Sequence, residues 1–221
     1  LGRLLKDAAE NKLDMLHFDC LIDANDIISQ NITNYQTMNV VSGTQMFFDQ
    51  THIWWKHLVV AWRKIFNRDF LLKNRLFFEE DIMYEDNDFA FRCFMSAFRC
   101  KHTNFEPYVY RENPSSVTRV AMSVSRLQNW LKVCVVFAKN SNKWGKDDIR
   151  FKQEAIDFIS NQLYKVFNSL EKYPGKERRK CLAVISIIDW NHILSCFNLP
   201  KRVKIVFEVI RLSLIDSSRN K

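Results

Sequence analysis

Leu76-Phe77-Phe78-Glu79-Glu80-Asp81-Ile82-Met83-Tyr84-Glu85-Asp86-Asn87-Asp88-Phe89 is the stretch on which the reading of this chain turns. Three large apolar residues anchor it, and the eight positions from Glu79 to Asp86 then hold five carboxylates. Phe89, Phe91, Phe94, Met95 and Phe98 follow at helical spacing. This predicts a helix with the acids at or just before its N-terminus, where the helix dipole favours negative charge. Three chemistries use such a cluster. A carboxylate pair can do general acid–base work. Oxygen ligands can hold Mg²⁺ or Mn²⁺. A single carboxylate can deprotonate a sugar hydroxyl as it attacks a phosphorylated donor. A solvated helix cap is the plain structural alternative.

Upstream, Leu4, Leu5, Ala8 and Ala9 make a helical stripe ending near Asn11. Leu13–Cys20 alternates apolar residues with Asp14, His17 and Asp19, the pattern of a half-buried strand. Asp23–Tyr35, rich in Asn and Asp, reads as a loop, and Asn39–Val41 as a short strand. Ser42 is placed to cap a helix from Gly43, and Asn67 one from Arg68 to Asn74. Leu58–Phe66, Lys101–Phe105 and Tyr108–Arg111 read as strands. From about Met122 the period becomes helical, with a loop at Asn140–Lys146 and a long amphipathic helix from Phe151 to Leu170. Further helices are expected over Leu182–Leu194 and from Pro200. The fold class expected is mixed α/β over residues 1–120, followed by an all-helical subdomain over residues 121–221.

Composition removes whole classes of function. Only four glycines occur among 221 residues, where average usage of roughly 7% would give about fifteen. No two are spaced for a dinucleotide loop, a P-loop or a nucleophile elbow. The six cysteines contain no C-x-x-C pair and sit mostly in apolar segments, as buried thiols in a reducing compartment do. His52 and His57 flank Trp54 and Trp55 and read as core or interface, so no metal site is assigned. The net charge of +8 favours anionic partners without choosing among them.

The order of motifs narrows the choice. Trp62-Arg63-Lys64-Ile65-Phe66-Asn67-Arg68-Asp69-Phe70-Leu71 precedes Leu76-Phe77-Phe78-Glu79-Glu80 and Tyr84-Glu85-Asp86-Asn87-Asp88-Phe89. Glu106-Pro107-Tyr108-Val109-Tyr110-Arg111 and Ser115-Ser116-Val117-Thr118-Arg119 follow. This succession resembles the acceptor-side half of bacterial family 2 inverting glycosyltransferases, which have the GT-A fold. The resemblance covers residues 1 to about 120. It implies the C-terminal part of a GT-A-like fold, with residues 121–221 as a variable helical extension. It implies Asp86 as catalytic base and Glu85 as its helper. Trp62, Lys64 and Tyr84 would bind substrate, and Arg111 and Arg119 would neutralise diphosphate charge.

Several pieces of that family's pattern are missing. Neither the first strand with its P-x-Y-N turn, nor the base-binding aspartate, nor a D-x-D metal motif occurs here. Leu1–Asp19 resembles the segment just after the metal motif. The expectation is a chain that starts partway through an enzyme, consistent with its start at Leu1 and its few glycines. It would be inactive alone and hold no cofactor itself, with Mg²⁺ or Mn²⁺ implied for the complete enzyme. The complete enzyme would take a nucleotide-sugar donor and a glycan or lipid-linked acceptor in polysaccharide biosynthesis. It would work in the cytoplasm, with a peripheral contact at the inner membrane face through the basic Lys201-Arg202-Val203-Lys204 helix. The alternative is a basic helical module for nucleic acid or an anionic membrane, although no nucleic-acid motif is present.

Overall fold

The computed structural model describes residues 1–24, 27–31, 39–49, 59–113, 116, 123–144, 149–170, 201 and 205. The expected helices beyond residue 170, Arg119, Cys181, Cys196 and the His52/His57 pair lie outside the described residues, apart from positions 201 and 205. The chain divides into two compact units. One comprises Leu1–Glu79 and Asp86–Val120, the other Glu80–Glu85 and Ala121–Lys221.

In the first unit, α1 (Gly2–Glu10) leads into β1 (Met15–Phe18), and after Asp19 the chain re-enters a strand as β2 (Cys20–Ala24). β3 (Ile27–Asn31) returns antiparallel to β2, so part of the segment expected as a loop is a hairpin. Its Asn and Asp content hid two strands whose ladder hydrogen bonds come from backbone alone. α2 (Gly43–Asp49) follows, and its Gln45 N–H donates to Ser42 Oγ at 3.1 Å, as capping predicts. A single 3₁₀ turn, Ala61–Arg63, precedes β4 (Lys64–Phe66), so the expected strand over 58–66 is shorter. α3 (Arg68–Lys73) is capped by Asn67, whose side chain accepts from the Asp69 and Phe70 N–H groups. α4 (Glu85–Ser96), β5 (Cys100–Thr103) and β6 (Val109–Arg111) complete the unit.

Two three-stranded sheets result, β4-β1-β5 and β3-β2-β6. β1 runs antiparallel to β4 and parallel to β5, placing His17 opposite both Lys64 and His102. Leu16 and Phe18 pack with Leu4 and Leu13 on the side of α1. Lys64 and Phe66 turn to the other side, against Phe94 and Phe89 of α4. With both faces covered, β1 is buried throughout, and His17 and Asp19 with it. That corrects the half-buried strand: an outward face exists only where nothing packs on it. Phe98 is a second correction. α4 ends at Ser96, and Phe98 is 83% exposed.

The second unit contains α5 (Val124–Trp144) and α6 (Ile149–Leu170). Leu127, Leu131 and Cys134 of α5 are buried, as are Ala155, Phe158, Ile159, Leu163, Val166 and Leu170 of α6. Phe137 and Phe158 meet at 4.4 Å between ring centroids. The expected loop at Asn140 is instead the last turn of α5, where buried Ser141 donates its hydroxyl to the Ala138 carbonyl. Satisfying that hydroxyl inside the helix removes the usual reason for serine to leave one.

Candidate active site

α4 opens at Glu85, so the acidic run does end at a helix N-terminus, and it separates into carboxylates with different surroundings. Glu79, Glu80 and Asp81 are exposed. Asp88 is fully buried and belongs to the scaffold: Arg92 Nε lies 2.7 Å from its Oδ2, and Arg92 Nη2 donates to the Phe77 carbonyl. Asp86 is half-buried, and its Oδ1 accepts from Asn87 Nδ2 at 2.9 Å. Glu85, also half-buried, belongs with the second unit.

Lys64 is brought into the same field as Asp86. Its side chain is only 7% exposed, with Nζ donating to the Val60 carbonyl at 2.8 Å and lying 5.7 Å from the Phe94 ring centroid. Burial drives its pKa down to about 7, Arg63 adds to the lowering, and the Asp86 carboxylate acts the other way. A buried amine that titrates near neutrality within the field of a half-buried carboxylate is a feature that functional sites share.

Trp62 lies in the 3₁₀ turn before β4, one residue ahead of the buried Arg63. Its indole stacks on Tyr110 at 5.3 Å and 13° and meets Tyr108 tilted at 32°, 4.9 Å between centroids, leaving an aromatic edge open to solvent. Arg111 follows Tyr110 on β6, its side chain 85% exposed, with Nε 3.1 Å from Asp23 Oδ2 across the β2–β6 pairing. The guanidinium thus faces solvent while its partner Asp23 is nearly buried.

Tyr84 belongs to the second unit. It stacks on Trp130 at 4.1 Å, and its hydroxyl accepts from Arg126 Nε at 2.7 Å.

One cluster escaped the sequence reading. Arg63, 1% exposed, donates from Nη2 to Asp19 Oδ1 at 2.7 Å and from Nε to the Phe18 carbonyl at 3.0 Å. His102 Nε2 lies 3.5 Å from Asp19 Oδ2, and His102 Nδ1 is 2.8 Å from His17 Nδ1. Arg63 lies in the 3₁₀ turn between Trp62 and Lys64, so no strand period in the sequence marked it as buried. Among the described residues no three His, Cys, Asp or Glu side chains gather where a metal ion could sit, so no chemistry is derived through one. The four described cysteines are free and buried. Burial raises the Cys20 thiol pKa and those of Cys100 and Cys134, and takes Cys93 to about 12. That removes them as thiolate nucleophiles.

Comparison with known proteins agrees with this architecture. The chain is 28% identical over 125 residues to EpsJ of Bacillus subtilis (strain 168), an uncharacterized glycosyltransferase, covering 53% of this chain and 35% of that protein. It superposes on S. aureus TarS 1-349 in complex with UDP-GlcNAc with a TM-score of 0.58 at 13% identity, over 99% of this chain and 64% of that one. Against the UDP complex the TM-score is 0.55 at 15% identity, over 90% and 53% of the two chains. No protein-family model matches the chain. The fold is the GT-A-like glycosyltransferase fold that the motif order implied. The chain spans about a third of the curated relative and 53–64% of these TarS chains.

Proposed function

We propose that this chain is the acceptor-side part of an inverting glycosyltransferase of family 2, with Asp86 as its catalytic base. The carboxylate takes the proton of an acceptor hydroxyl as that oxygen bonds to the anomeric carbon. The bond from that carbon to the nucleoside diphosphate breaks, and its electron pair leaves on phosphate oxygen, with inversion at the carbon. Glu85 assists the base, the Trp62 edge receives the acceptor, and Arg111 answers the charge growing on the departing diphosphate. The donor is a nucleotide-sugar, and the acceptor a glycan or lipid-linked sugar of polysaccharide biosynthesis at the cytoplasmic membrane face. The observation that carries the reading is the placing of half-buried Asp86 on the first turn of α4, within the charge field of Lys64. Likeness to a glycosyltransferase and to TarS bound to UDP and UDP-GlcNAc supports it.

Replacing Asp86 by Asn in the full-length protein keeps shape and removes the base. Sugar transfer from a nucleotide-sugar should fall by at least about a hundredfold with the donor KM little changed. Wild-type transfer by that variant would remove Asp86 from the role. The chain of residues 1–221 alone should bind nucleotide-sugar weakly and show little or no transfer.

A further inference from the structure

Tyr84 carries the argument here. It immediately precedes Glu85, and its φ is +67°, a left-handed backbone that bulky L-residues avoid unless their surroundings hold them. Asp81, three residues earlier, is also left-handed at φ +58°. Contacts that hold it come from α5, at positions 126, 129, 130 and 132, within the unit that contains Glu80–Glu85. Trp130 stacks flat on the Tyr84 ring, 4.1 Å between centroids and 13° between planes. Arg126 Nε donates to the Tyr84 hydroxyl at 2.7 Å. Asn129 Oδ1 accepts from the Met83 N–H at 2.9 Å, while its own Nδ2 donates to the Ser125 carbonyl at 2.8 Å. Lys132 Nζ reaches the Asp81 carbonyl at 3.4 Å, and Lys165 of α6 lies 6.0 Å from the Trp130 ring centroid. Side chain, hydroxyl and main chain of the acidic turn are therefore gripped at once, by a helix with no carboxylate in this contact.

We propose that Arg126, Asn129 and Trp130 are positioning residues: they hold Tyr84 left-handed and so fix where Glu85 presents its carboxylate. The proposal rests on the transferase reading of Asp86. It gives the helical subdomain a part in turnover, and it makes Tyr84 a handle for the turn.

The test uses the full-length protein with Trp130→Ala, Trp130→Phe and Arg126→Met, and Asp86→Asn as reference. Trp130→Ala should lower kcat about tenfold or more with the donor KM within about twofold, because misplacing a catalytic group costs rate before it costs binding. Trp130→Phe, which keeps a ring to stack, should recover most of kcat. Arg126→Met should lower kcat without moving the donor KM. Wild-type kcat in both Trp130→Ala and Arg126→Met, while Asp86→Asn abolishes transfer, overturns the proposal. Should Trp130→Ala fail to fold, Arg126→Met and Trp130→Phe decide by the same criteria. Amide hydrogen exchange supplies the reading that does not depend on turnover. Exchange at residues 83–87 should quicken in Trp130→Ala or Arg126→Met and return to wild type in Trp130→Phe, with the amides of α6 unchanged. Unchanged exchange at 83–87 overturns the positioning role whatever Asp86→Asn shows, and active Asp86→Asn with quickened exchange overturns only the transferase reading.

Discussion

Arg63 and Lys64 are adjacent cations that folding buries by different means. Arg63 meets a full charge partner in Asp19. Lys64 meets a carbonyl and a ring, and its pKa falls to about 7. In the unfolded chain lysine titrates near 10.5. Between those values the unfolded chain binds the extra proton, so stability rises as the pH climbs through about 7 and beyond. The buried thiols act in the opposite sense above pH 9. Cys93 stays protonated to about 12 when folded, so the unfolded chain loses its proton first and stability falls. Urea midpoints measured from pH 6 to 10 should therefore rise and then fall. Lys64→Met should abolish the rise and keep the fall; parallel profiles for the two proteins would contradict the burial of this amine. The sequence offered Trp62, Lys64 and Asp86 as a set through motif order. It gave no hint that Lys64 is enclosed, because enclosure depends on Phe94, thirty positions away.

At the scale of elements, the capping residues Ser42 and Asn67 were legible because a cap is local chemistry that three or four residues determine. The β2–β3 hairpin was not, since its polar composition lacks the alternation that marks a strand. Nor could sequence show how α2 meets α4. A β-carbon built on Gly43 would lie 2.1 Å from the Phe94 carbonyl oxygen and 3.1 Å from Ala97 Cβ, and the Gly43 N–H donates to the Ala97 carbonyl at 2.8 Å. Backbone meets backbone there, and neither side can yield as a flexible side chain would. Gly43→Ala should cost about 3 kcal/mol, at the upper end for overpacking, read as a lowered urea midpoint with an unchanged slope. A cost under about 1 kcal/mol would mean that the two helices separate easily. With so few glycines in the chain, this one is kept by contact and not by dihedral freedom.

Across the whole molecule, a change of hydrophobic period near residue 120 was visible in the sequence. The assignment of Glu80–Glu85 to the helical unit was not, because it follows from the grip of α5 on Tyr84 and Met83. The two units carry their own chemical reporters. Cys20, Cys93 and Cys100 are buried in the first, and Cys134 in the second. Thiol labelling followed by mass spectrometry should leave all four unmodified in native buffer. In rising urea, Cys20, Cys93 and Cys100 should become reactive together, since each lies on an element of the same packed body. Labelling of Cys93 well before Cys100 would show that α4 detaches from the sheet first. The fold likeness to TarS extends over nearly the whole chain at 13% identity. Pattern and packing thus persist where individual residues have been replaced.

The His17–His102 contact has a consequence of another kind. Two ring nitrogens 2.8 Å apart share one hydrogen, so one imidazole donates and the other accepts. The nearness of His102 Nε2 to Asp19 Oδ2 favours the Nε2–H form of His102, and with it the Nδ1–H form of His17. Two residues of the same type thus enter a nitrogen-15 spectrum as opposite tautomers. The hydrogen between them lies where solvent does not reach, since both rings are buried.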